Sequence, residues 1–253
     1  MTSVERVMAI TKLEPEMGYD TPTEKPKQWP SNGDIKFTEL SLTYYPEGPA
    51  ALKKIIMYIE GHSKVGVVGR TGSGKSSIVS ALLRMPEAEG SITVDGVELT
   101  SLNLRDSRSC ISVLSQNPVV FSGSLRMNLD PLEEHSDVDL WDALETVQLK
   151  TLVENFQGKL DHTMTNKGAN LSVGEKQLVC LARVLLQGSK IVVLDEPTAH
   201  VDPKTEQIIH QTIHEKLKNS TVITIAHRLK TIEECDKIVQ LNDGQLVVES
   251  CYV

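Results

Sequence analysis

The residues best suited to do chemistry begin with a glycine-rich loop that could hold a chain of phosphates. Residues 69–76 are Gly-Arg-Thr-Gly-Ser-Gly-Lys-Ser and fit the pattern G-x-x-x-x-G-K-[ST]. Glycines let the backbone point successive N–H groups at an anion, and Lys75 would donate to the β- and γ-phosphates. The Ser76 hydroxyl is the expected Mg²⁺ ligand. The sequence therefore predicts nucleotide contacts from Gly69, Arg70, Thr71, Gly72, Ser73, Gly74, Lys75, Ser76 and Ser77.

Two carboxylates follow an apolar run farther along the chain. Residues 191–194 are Ile-Val-Val-Leu, and Asp195 and Glu196 come directly after them. Two acids at the end of a buried strand are costly without a cation, because an unpaired charge is strongly disfavoured away from water. A structural pairing of either acid is the alternative. Together with the phosphate loop, the acids predict a site that binds and hydrolyses ATP with Mg²⁺.

Short apolar runs that alternate with helical patterns predict the elements that carry these residues. Residues 64–69 show little polar alternation, which suits a strand buried on both faces of a parallel sheet, and a helix opens near Lys75. Further strands are predicted at 110–115, 190–194, 221–225 and 237–241, and helices at 173–186 and 203–217. This alternation predicts an α/β fold with a mainly parallel sheet and a site at the C-terminal ends of its strands.

The chain divides into a tail, a core and an inserted lobe. Residues 2–5, Thr-Ser-Val-Glu, fit a capping box and predict a short helix at 4–11. Residues 14–32 include four prolines among polar residues and predict an extended linker. Alternating apolar residues then predict strands, with a hairpin turn at 94–97. The predicted units are a linker at 1–33 and one domain at 34–253, with a helical lobe at about 118–187.

Composition limits the kinds of partner and compartment. A net charge of −8 over 253 residues gives no electrostatic reason to expect a nucleic-acid partner. The 4 cysteines form no C-x-x-C pair, and Cys110 and Cys180 lie in apolar runs, so we expect buried thiols in a reducing compartment. No apolar stretch approaches the ~20 residues of a membrane span, and we expect the chain to be soluble.

These motifs resemble the nucleotide-binding domain of an ATP-binding-cassette (ABC) transporter over nearly the whole chain, from residue 3 to residue 249. The resemblance is closest to subfamily C, the multidrug-resistance-associated proteins, and there to the second of two nucleotide-binding domains. The residues that carry this closer match are 2–7, Tyr44, 119–123, 128–131, 171–174, 177–183 and 224–229. The resemblance implies a P-loop ATPase fold with an antiparallel β subdomain and an inserted α-helical subdomain, and ATP and Mg²⁺ as cofactors.

The resemblance also implies roles for individual residues. Tyr44 matches the aromatic that stacks on adenine, since a π face over a flat base binds it with little discrimination; the alternative is an aromatic at a sheet edge. Glu196 matches the general base, and His227 matches the switch histidine that contacts the γ-phosphate. Gln116 matches the glutamine that contacts Mg²⁺ and the attacking water, and Asp195 matches the Mg²⁺-associated acid. The implied catalytic set is Glu196, His227 and Gln116, and the implied metal ligands are Ser76, Gln116 and Asp195.

The family's signature sequence is matched by Leu171, Ser172, Val173, Gly174 and Glu175, where the usual text is Leu-Ser-Gly-Gly-Gln. In the family, this serine and the helix start behind it face the γ-phosphate of a nucleotide held by a second nucleotide-binding domain. Val173 adds a side chain where close approach is needed. Glu175 adds negative charge, although a capping box with Ser172 is the alternative. The implied partner bears an intact signature, and Asp202 matches the acid that communicates across the dimer.

The resemblance implies further partners that this chain does not include. Transmembrane domains would precede the linker, with this domain on the cytoplasmic side, and would export organic anions or drug conjugates. Asn117 and Asn166 replace acids that the family carries near its membrane-domain contacts. The chain stops at Val253, where relatives continue into another helix, which predicts a truncated C-terminus. A nucleotide-gated channel or regulatory subunit of the same subfamily, and a soluble ABC ATPase acting on ribosomes or DNA, stay open as alternatives.

Overall fold

Strands and helices alternate in a computed structural model, which describes residues 2–19, 25–165, 168–199, 201–226, 232 and 235–251. The strands are β1 (Ile35–Leu42), β2 (Leu52–Ile59), β3 (Lys64–Gly69), β4 (Glu89–Val94), β5 (Val97–Glu98), β6 (Ile111–Leu114), β7 (Gly123–Ser124), β8 (Thr163–Met164), β9 (Ile191–Asp195), β10 (Thr221–Ile225), β11 (Lys237–Asn242) and β12 (Gln245–Cys251). The helices are α1 (Ser3–Ile10), α2 (Lys75–Leu82), α3 (Leu104–Ser109), α4 (Leu125–Leu129), α5 (Asp137–Thr146), α6 (Lys150–Glu154), α7 (Val173–Gln187) and α8 (Pro203–Lys216). The elements predicted around the site are confirmed, with ends that differ by about one residue.

The core sheet has the strand order β12-β11-β3-β10-β9-β6. Its strands are parallel except β12, which pairs antiparallel with β11. In the register of the sheet, Leu114 lies opposite Leu194, Leu194 opposite Thr224, and Thr224 opposite Gly66. Because these four strands run the same way and are aligned in this register, their carboxyl ends meet at one edge. The mainly parallel sheet predicted from the alternation is confirmed.

A second, antiparallel sheet has the order β2-β1-β4-β5. Strand β1 buries Ile35, Phe37 and Leu42 completely, while Lys36 between them is exposed, as period-two alternation requires. The hairpin between β4 and β5 turns at Asp95 and Gly96, where the sequence predicts it. This sheet packs its buried side on one face of the core sheet, sharing a hydrophobic cluster with Val193, Ile223 and Ile225.

The opposite face of the core sheet is covered by helices. Val192, Leu194 and Val222 point into a second hydrophobic cluster that includes residues of α5 and α7. The same strands thus alternate their side chains between the two clusters, which is why the run at 191–194 is apolar throughout. Helices α4 to α7 and the short pair β7–β8 lie within residues 118–187, for which the sequence predicts a helical lobe.

The segment before β1 is anchored to the domain at several points, where the sequence predicts an extended linker. The Trp29 indole is only 8% exposed, and its Nε1 donates to the carbonyl of Val94 at 2.8 Å. Upstream, the Glu16 carboxylate accepts hydrogen bonds from both terminal nitrogens of Arg108. The described part of this segment is therefore attached to the domain surface because a buried aromatic and an ion pair hold it there.

Helix α1 begins with the predicted capping box, in which the Thr2 backbone N–H donates to Glu5 Oε2 at 2.7 Å. None of its side chains is buried, and Val4, Val7 and Ile10 are each at least 60% exposed. Among the described residues, no helix combines the length and the hydropathy that crossing a bilayer requires.

The expected buried thiols are found for one cysteine of the pair. Cys110 is buried, and burial raises the pKa of its thiol to about 12, which keeps the sulfur protonated and unreactive. Cys180 is only half-buried because it lies on the flank of α7, and burial raises the pKa of its thiol.

Candidate nucleotide site

The phosphate loop connects β3 to α2, and its glycines adopt backbone angles that residues with a Cβ rarely adopt. Gly72 has φ +80° and Gly74 has φ +101°. A Cβ on Gly74 would come within 2.7 Å of the Ala51 carbonyl oxygen, whereas a Cβ on Gly72 would meet open space. Gly74 immediately precedes α2, so the loop ends where the helix presents its unpaired N–H groups. This is the geometry of an anion-binding turn.

Lys75 places its ammonium group across the loop. Lys75 is only 6% exposed, and its Nζ donates to the carbonyls of Gly69 at 2.9 Å and Arg70 at 3.1 Å. Burial lowers the pKa of Lys75 below its ordinary value, while the negative charges of Glu196 and Asp195 oppose that shift. The ammonium is therefore held in a partly desolvated position, where a phosphate chain would stabilise its charged form.

Ser73, also in the loop, carries a buried hydroxyl that adds to the polar lining. It is 4% exposed, and its Oγ has no hydrogen-bond partner among the described residues. A buried hydroxyl without a partner costs free energy, which a ligand oxygen would recover. With the Lys75 ammonium and the start of α2, these groups fit a chain of phosphates.

The two acids lie where β9 ends. Asp195 is its last residue, and Glu196 follows with φ +47°, an angle that residues with a Cβ rarely adopt. The Glu196 N–H donates to the carbonyl of Ile225 at 3.1 Å, and the Glu196 carbonyl accepts from Ala199 N–H at 3.2 Å. These bonds hold the turn in place against its strain, which costs about 1–3 kcal/mol at such sites. Both carboxylates are close enough to Lys75 to influence its pKa.

The register of the sheet brings a third predicted residue to the same edge. Leu114 and Leu194 lie side by side in β6 and β9, and Gln116 and Glu196 each follow two residues later. Gln116 is half-buried at this edge. The fourth residue, His227, lies outside the described residues, although the preceding Ala226 donates its N–H to the Val67 carbonyl at 3.2 Å. Adjacent parallel strands thus bring the described candidates together.

Tyr44 lies in the loop after β1 rather than on a strand. Its ring is 48% exposed, and its hydroxyl is hydrogen-bonded to Ser77 Oγ at 3.0 Å and to Ser80 Oγ at 3.2 Å. Both serines belong to α2, the helix that follows the phosphate loop. The ring is therefore tied beside the loop and does not pack at a sheet edge. Ser80 has no place in the phosphate-loop pattern, and nothing in the sequence alone indicates it.

The signature segment forms the start of α7. Ser172 is the N-cap, its Oγ accepting from the Glu175 N–H at 3.2 Å, and the Ser172 N–H donates to Glu175 Oε2 at 2.7 Å. The capping box that the sequence offers as an alternative for Glu175 is therefore present. Leu171 is buried and Val173 is 48% exposed, so the valine occupies the accessible surface of the helix start.

Asp202 caps the neighbouring helix and contacts the signature segment. Its carboxylate accepts from the N–H groups of Lys204 and Thr205 at 3.1 Å each and from Thr205 Oγ1 at 2.6 Å. The hydrogen bond from the Thr205 hydroxyl, followed by the Thr205 N–H, lowers the pKa of Asp202. A Cβ on Gly174 would lie 3.0 Å from Thr205 Oγ1 and 3.3 Å from Asp202 Oδ2. Glycine at 174 therefore allows the starts of α7 and α8 to pack closely.

Comparison with known proteins identifies the family to which the chain is similar. Residues 52–199 match the family described as ABC transporter. The chain is 48% identical to ATP-binding cassette sub-family C member 4 of Mus musculus, over 97% of this chain and 19% of that protein. It is 46% identical to ATP-binding cassette sub-family C member 2 of Homo sapiens, over 98% of this chain and 16% of that protein. A relative in Drosophila melanogaster, the probable multidrug resistance-associated protein lethal(2)03659, is 45% identical over 98% of this chain and 18% of its own length.

A solved structure shares the fold. The structure of a bacterial Atm1-family ABC exporter with ATP bound aligns with a TM-score of 0.87 and 25% identity, over 98% of this chain and 44% of that chain. This chain therefore spans less than half of the exporter chain, and less than a fifth of the three relatives described above.

Proposed function

Because the chain belongs to the ABC transporter family, as an ATPase domain that binds ATP with Mg²⁺, we propose that it powers export as the second nucleotide-binding domain of a subfamily C transporter. The similarity to ATP-binding cassette sub-family C members 4 and 2 supports the subfamily. The observation that carries the ATP-binding role is the partly desolvated Lys75 ammonium, held across the phosphate loop within electrostatic reach of Asp195 and Glu196. In this proposal the domain lies on the cytoplasmic side of the membrane and works with transmembrane domains.

Each residue then has a role that follows from its chemistry. Lys75 binds the β- and γ-phosphates, and the Ser76 hydroxyl, with Gln116 and Asp195, holds Mg²⁺ directly or through water. Glu196 accepts a proton from the attacking water, since its strained backbone fixes the carboxylate at the sheet edge. His227 donates to the γ-phosphate as its charge changes. Tyr44 stacks on adenine from the loop after β1. The metal supplies charge neutralisation for the phosphate oxygens when bound.

Two substitutions separate binding from hydrolysis. Lys75→Ala removes a charge-assisted contact to phosphate, so we expect ATP affinity to fall by about tenfold or more. Glu196→Gln keeps the shape of the side chain but loses the basic oxygen, so ATP should still bind while turnover falls by ~10²-fold or more. The measurements are equilibrium binding of a fluorescent ATP analogue and steady-state phosphate release.

An exposed lysine on the antiparallel sheet supplies the matched control. Lys36→Ala, on the exposed side of β1, should leave both measurements unchanged. If Glu196→Gln lost ATP binding as severely as Lys75→Ala, the proposed catalytic role of Glu196 would be wrong.

The proposed partner of this domain is another nucleotide-binding domain, one with an intact signature. Hydrolysis at the site of Lys75 and Glu196 then requires the partner's signature, and the signature at 171–175 serves the partner's nucleotide. Val173 is half exposed at the start of α7, where it adds bulk, and the Glu175 carboxylate adds negative charge on the same helical turn. An approaching γ-phosphate would meet both, so we infer that the site served by this signature is impaired.

This asymmetry predicts different effects for two substitutions in the assembled pair of domains. Ser172→Ala, in the signature of the impaired site, should leave total ATP turnover within about twofold, whereas His227→Ala should reduce it at least about tenfold. Because Ser172→Ala also removes a helix cap, Ser136→Ala is the matched control, since Ser136 caps α5 with the same box. Equal losses from Ser172→Ala and His227→Ala would mean that both sites turn over.

We propose that the transmembrane domains contact the surface around residues 119–127. Val119, Phe121 and Met127 are each more than half exposed there, and Arg183 lies 5.8 Å from the centre of the Phe121 ring. Exposed apolar side chains clustered in one short segment are typical of a protein contact surface.

Organic anions or drug conjugates are the proposed cargo. Uptake of a glutathione conjugate into inside-out vesicles, by the transporter that contains this domain, tests that cargo, and ATP-independent or absent uptake would contradict it.

A further inference from the structure

The hydroxyl of the half-exposed Tyr44 is hydrogen-bonded to two serines of α2. This hydroxyl lies 3.0 Å from Ser77 Oγ and 3.2 Å from Ser80 Oγ, and Ser80 Oγ donates to the Ser76 carbonyl at 3.3 Å. Ser77 and Ser80 are three residues apart on α2, so both hydroxyls lie on the same face of the helix. Tyr44 is 48% exposed, so about half of the residue stays open to solvent.

The proton count orders these hydroxyls into a chain. A tyrosine hydroxyl has one proton, so Tyr44 can donate to one serine and must accept from the other. Ser80 uses its own proton on the Ser76 carbonyl and therefore accepts from Tyr44, which leaves Ser77 to donate to Tyr44. The chain ends on the backbone of Ser76, whose hydroxyl is the proposed Mg²⁺ ligand. The aromatic ring and the phosphate loop are thereby linked through one turn of α2.

We infer that Ser80 is a positioning residue for ATP binding, because it anchors the Tyr44 ring at a fixed place relative to the phosphate loop. The inference rests on the proposed stacking of Tyr44 on adenine. A ring fixed before binding loses less rotamer entropy when the base arrives, and the fixed ring adds more to affinity than a free one. Ser80 itself contacts neither base nor phosphate in this arrangement. Its effect is confined to ligands that carry a base.

The test compares two ligands on variants of the 253-residue chain. Calorimetric titration with MgATP should show about fivefold weaker binding for Ser80→Ala and for Tyr44→Phe, each of which removes the bond but keeps the ring. Magnesium tripolyphosphate, which has no base, should bind all variants equally. Ser80→Ala should add nothing in the Tyr44→Phe background, and Ser80→Thr should restore affinity by restoring the hydroxyl. Ser109→Ala, which removes a helical serine hydroxyl that donates to the Asp106 carbonyl, should have no effect.

The outcomes separate this inference from the proposal on which it rests. Unchanged ATP affinity in Ser80→Ala, or an equal loss of tripolyphosphate affinity, would overturn the anchoring role. If Tyr44→Ala weakens ATP binding while Tyr44→Phe and Ser80→Ala do not, the ring still stacks on the base and only the anchor is wrong. If Tyr44→Ala leaves ATP affinity unchanged, the stacking itself fails and the anchor fails with it. Should Ser80→Ala lower the melting temperature, Tyr44→Phe still carries the comparison.

Discussion

Gly72 and Gly74 lie two residues apart in the phosphate loop, and the backbone requires each for a different reason. Both have positive φ angles, at which a side chain is strained. Only Gly74 is also crowded, because a Cβ there would lie 2.7 Å from the Ala51 carbonyl oxygen, while the space beside Gly72 is open. The sequence pattern identifies both glycines, but it does not distinguish strain from crowding, since the Ala51 contact is long-range.

This difference predicts unequal losses of stability in the nucleotide-free chain. Gly72→Ala should lower the free energy of unfolding by about 1–2 kcal/mol, the cost of a left-handed residue with a Cβ. Gly74→Ala adds overpacking to the same strain and should cost about 2–5 kcal/mol. Urea unfolding followed by circular dichroism measures both. Equal losses would show that the backbone at 74 relaxes away from Ala51, contrary to the crowding described.

Residue types predict the chemistry of the site better than they predict its local structure. The phosphate pattern and the pair Asp195–Glu196 are sufficient to place an ATP site at a sheet edge. The positive φ of Glu196 is not predictable, because the Glu196 N–H donates to the carbonyl of Ile225, on a strand 29 residues further along the chain. Glu175 shows the opposite case, since the capping box offered by its spacing from Ser172 is present in the structure. The roles of Gln116, His227 and Asp202 stay predictions.

At the scale of elements, the hairpin β4–β5 fastens the segment before β1 to the domain. The Asp95 carboxylate in its turn accepts hydrogen bonds from the backbone N–H groups of residues 31, 32, 33 and 34, at 2.6 to 3.2 Å. Burial opposes ionisation of Asp95, but these N–H groups together hold its pKa below the ordinary value. The Asp95 carboxylate thus fixes residues 31–34, which lead into strand β1 of the antiparallel sheet.

The lowered pKa of Asp95 determines the pH range in which its hydrogen bonds to residues 31–34 stabilise the fold. A carboxyl whose folded pKa is depressed contributes stability above its unfolded pKa of 3.8 and loses it as the pH falls through the folded value. Asp95→Asn should therefore lower the free energy of unfolding by about 1–3 kcal/mol at neutral pH, and the gap from the unsubstituted chain should narrow below about pH 4. Denaturant titrations at several pH values measure both effects.

Asp243 provides the matched control for Asp95. Like Asp95, Asp243 precedes a glycine in a hairpin turn and has a positive φ, +46° for Asp243 and +47° for Asp95. Its carboxylate, however, is 87% exposed and pairs only with Lys53 among the described residues. Exposed ion pairs contribute little, so Asp243→Asn should change stability by less than about 1 kcal/mol at any pH. A loss as large as that of Asp95→Asn would place the effect in the turn geometry rather than in the four hydrogen bonds.

Element boundaries are well predicted where local patterns decide them. The strand at 221–225 and the start of α7 at 173 agree with the structure to the residue, because a long apolar run and a capping box are local. The anchoring of residues 29–34 is not predictable from the proline-rich composition around them. It depends on Asp95 and on the buried face of Trp29, which lie about 65 residues apart in sequence. Composition describes the segment, and long-range hydrogen bonds decide where it lies.

In the molecule as a whole, two hydrophobic clusters lie on opposite faces of the core sheet, and each attaches a different part of the structure to that sheet. One cluster joins the core sheet to the antiparallel sheet, and the other joins it to the helical lobe that ends in α7. The phosphate loop and Glu196 lie at the sheet edge, whereas the signature at 171–175 starts a helix of the lobe. The alternation of strands and helices predicts this architecture. It does not predict which half of a composite site each part serves, since that depends on a partner.

We propose above that this domain holds ATP and the catalytic carboxylate of Glu196 but needs the signature of another domain for turnover. This claim is tested most directly by steady-state ATPase activity of the chain, measured against the concentration of a partner nucleotide-binding domain that carries Leu-Ser-Gly-Gly-Gln. We expect slow hydrolysis by the chain alone, although MgATP binds, and a saturable rise with partner that Glu196→Gln abolishes. Fast hydrolysis by the purified chain, independent of its own concentration and unaffected by the partner, would contradict the claim.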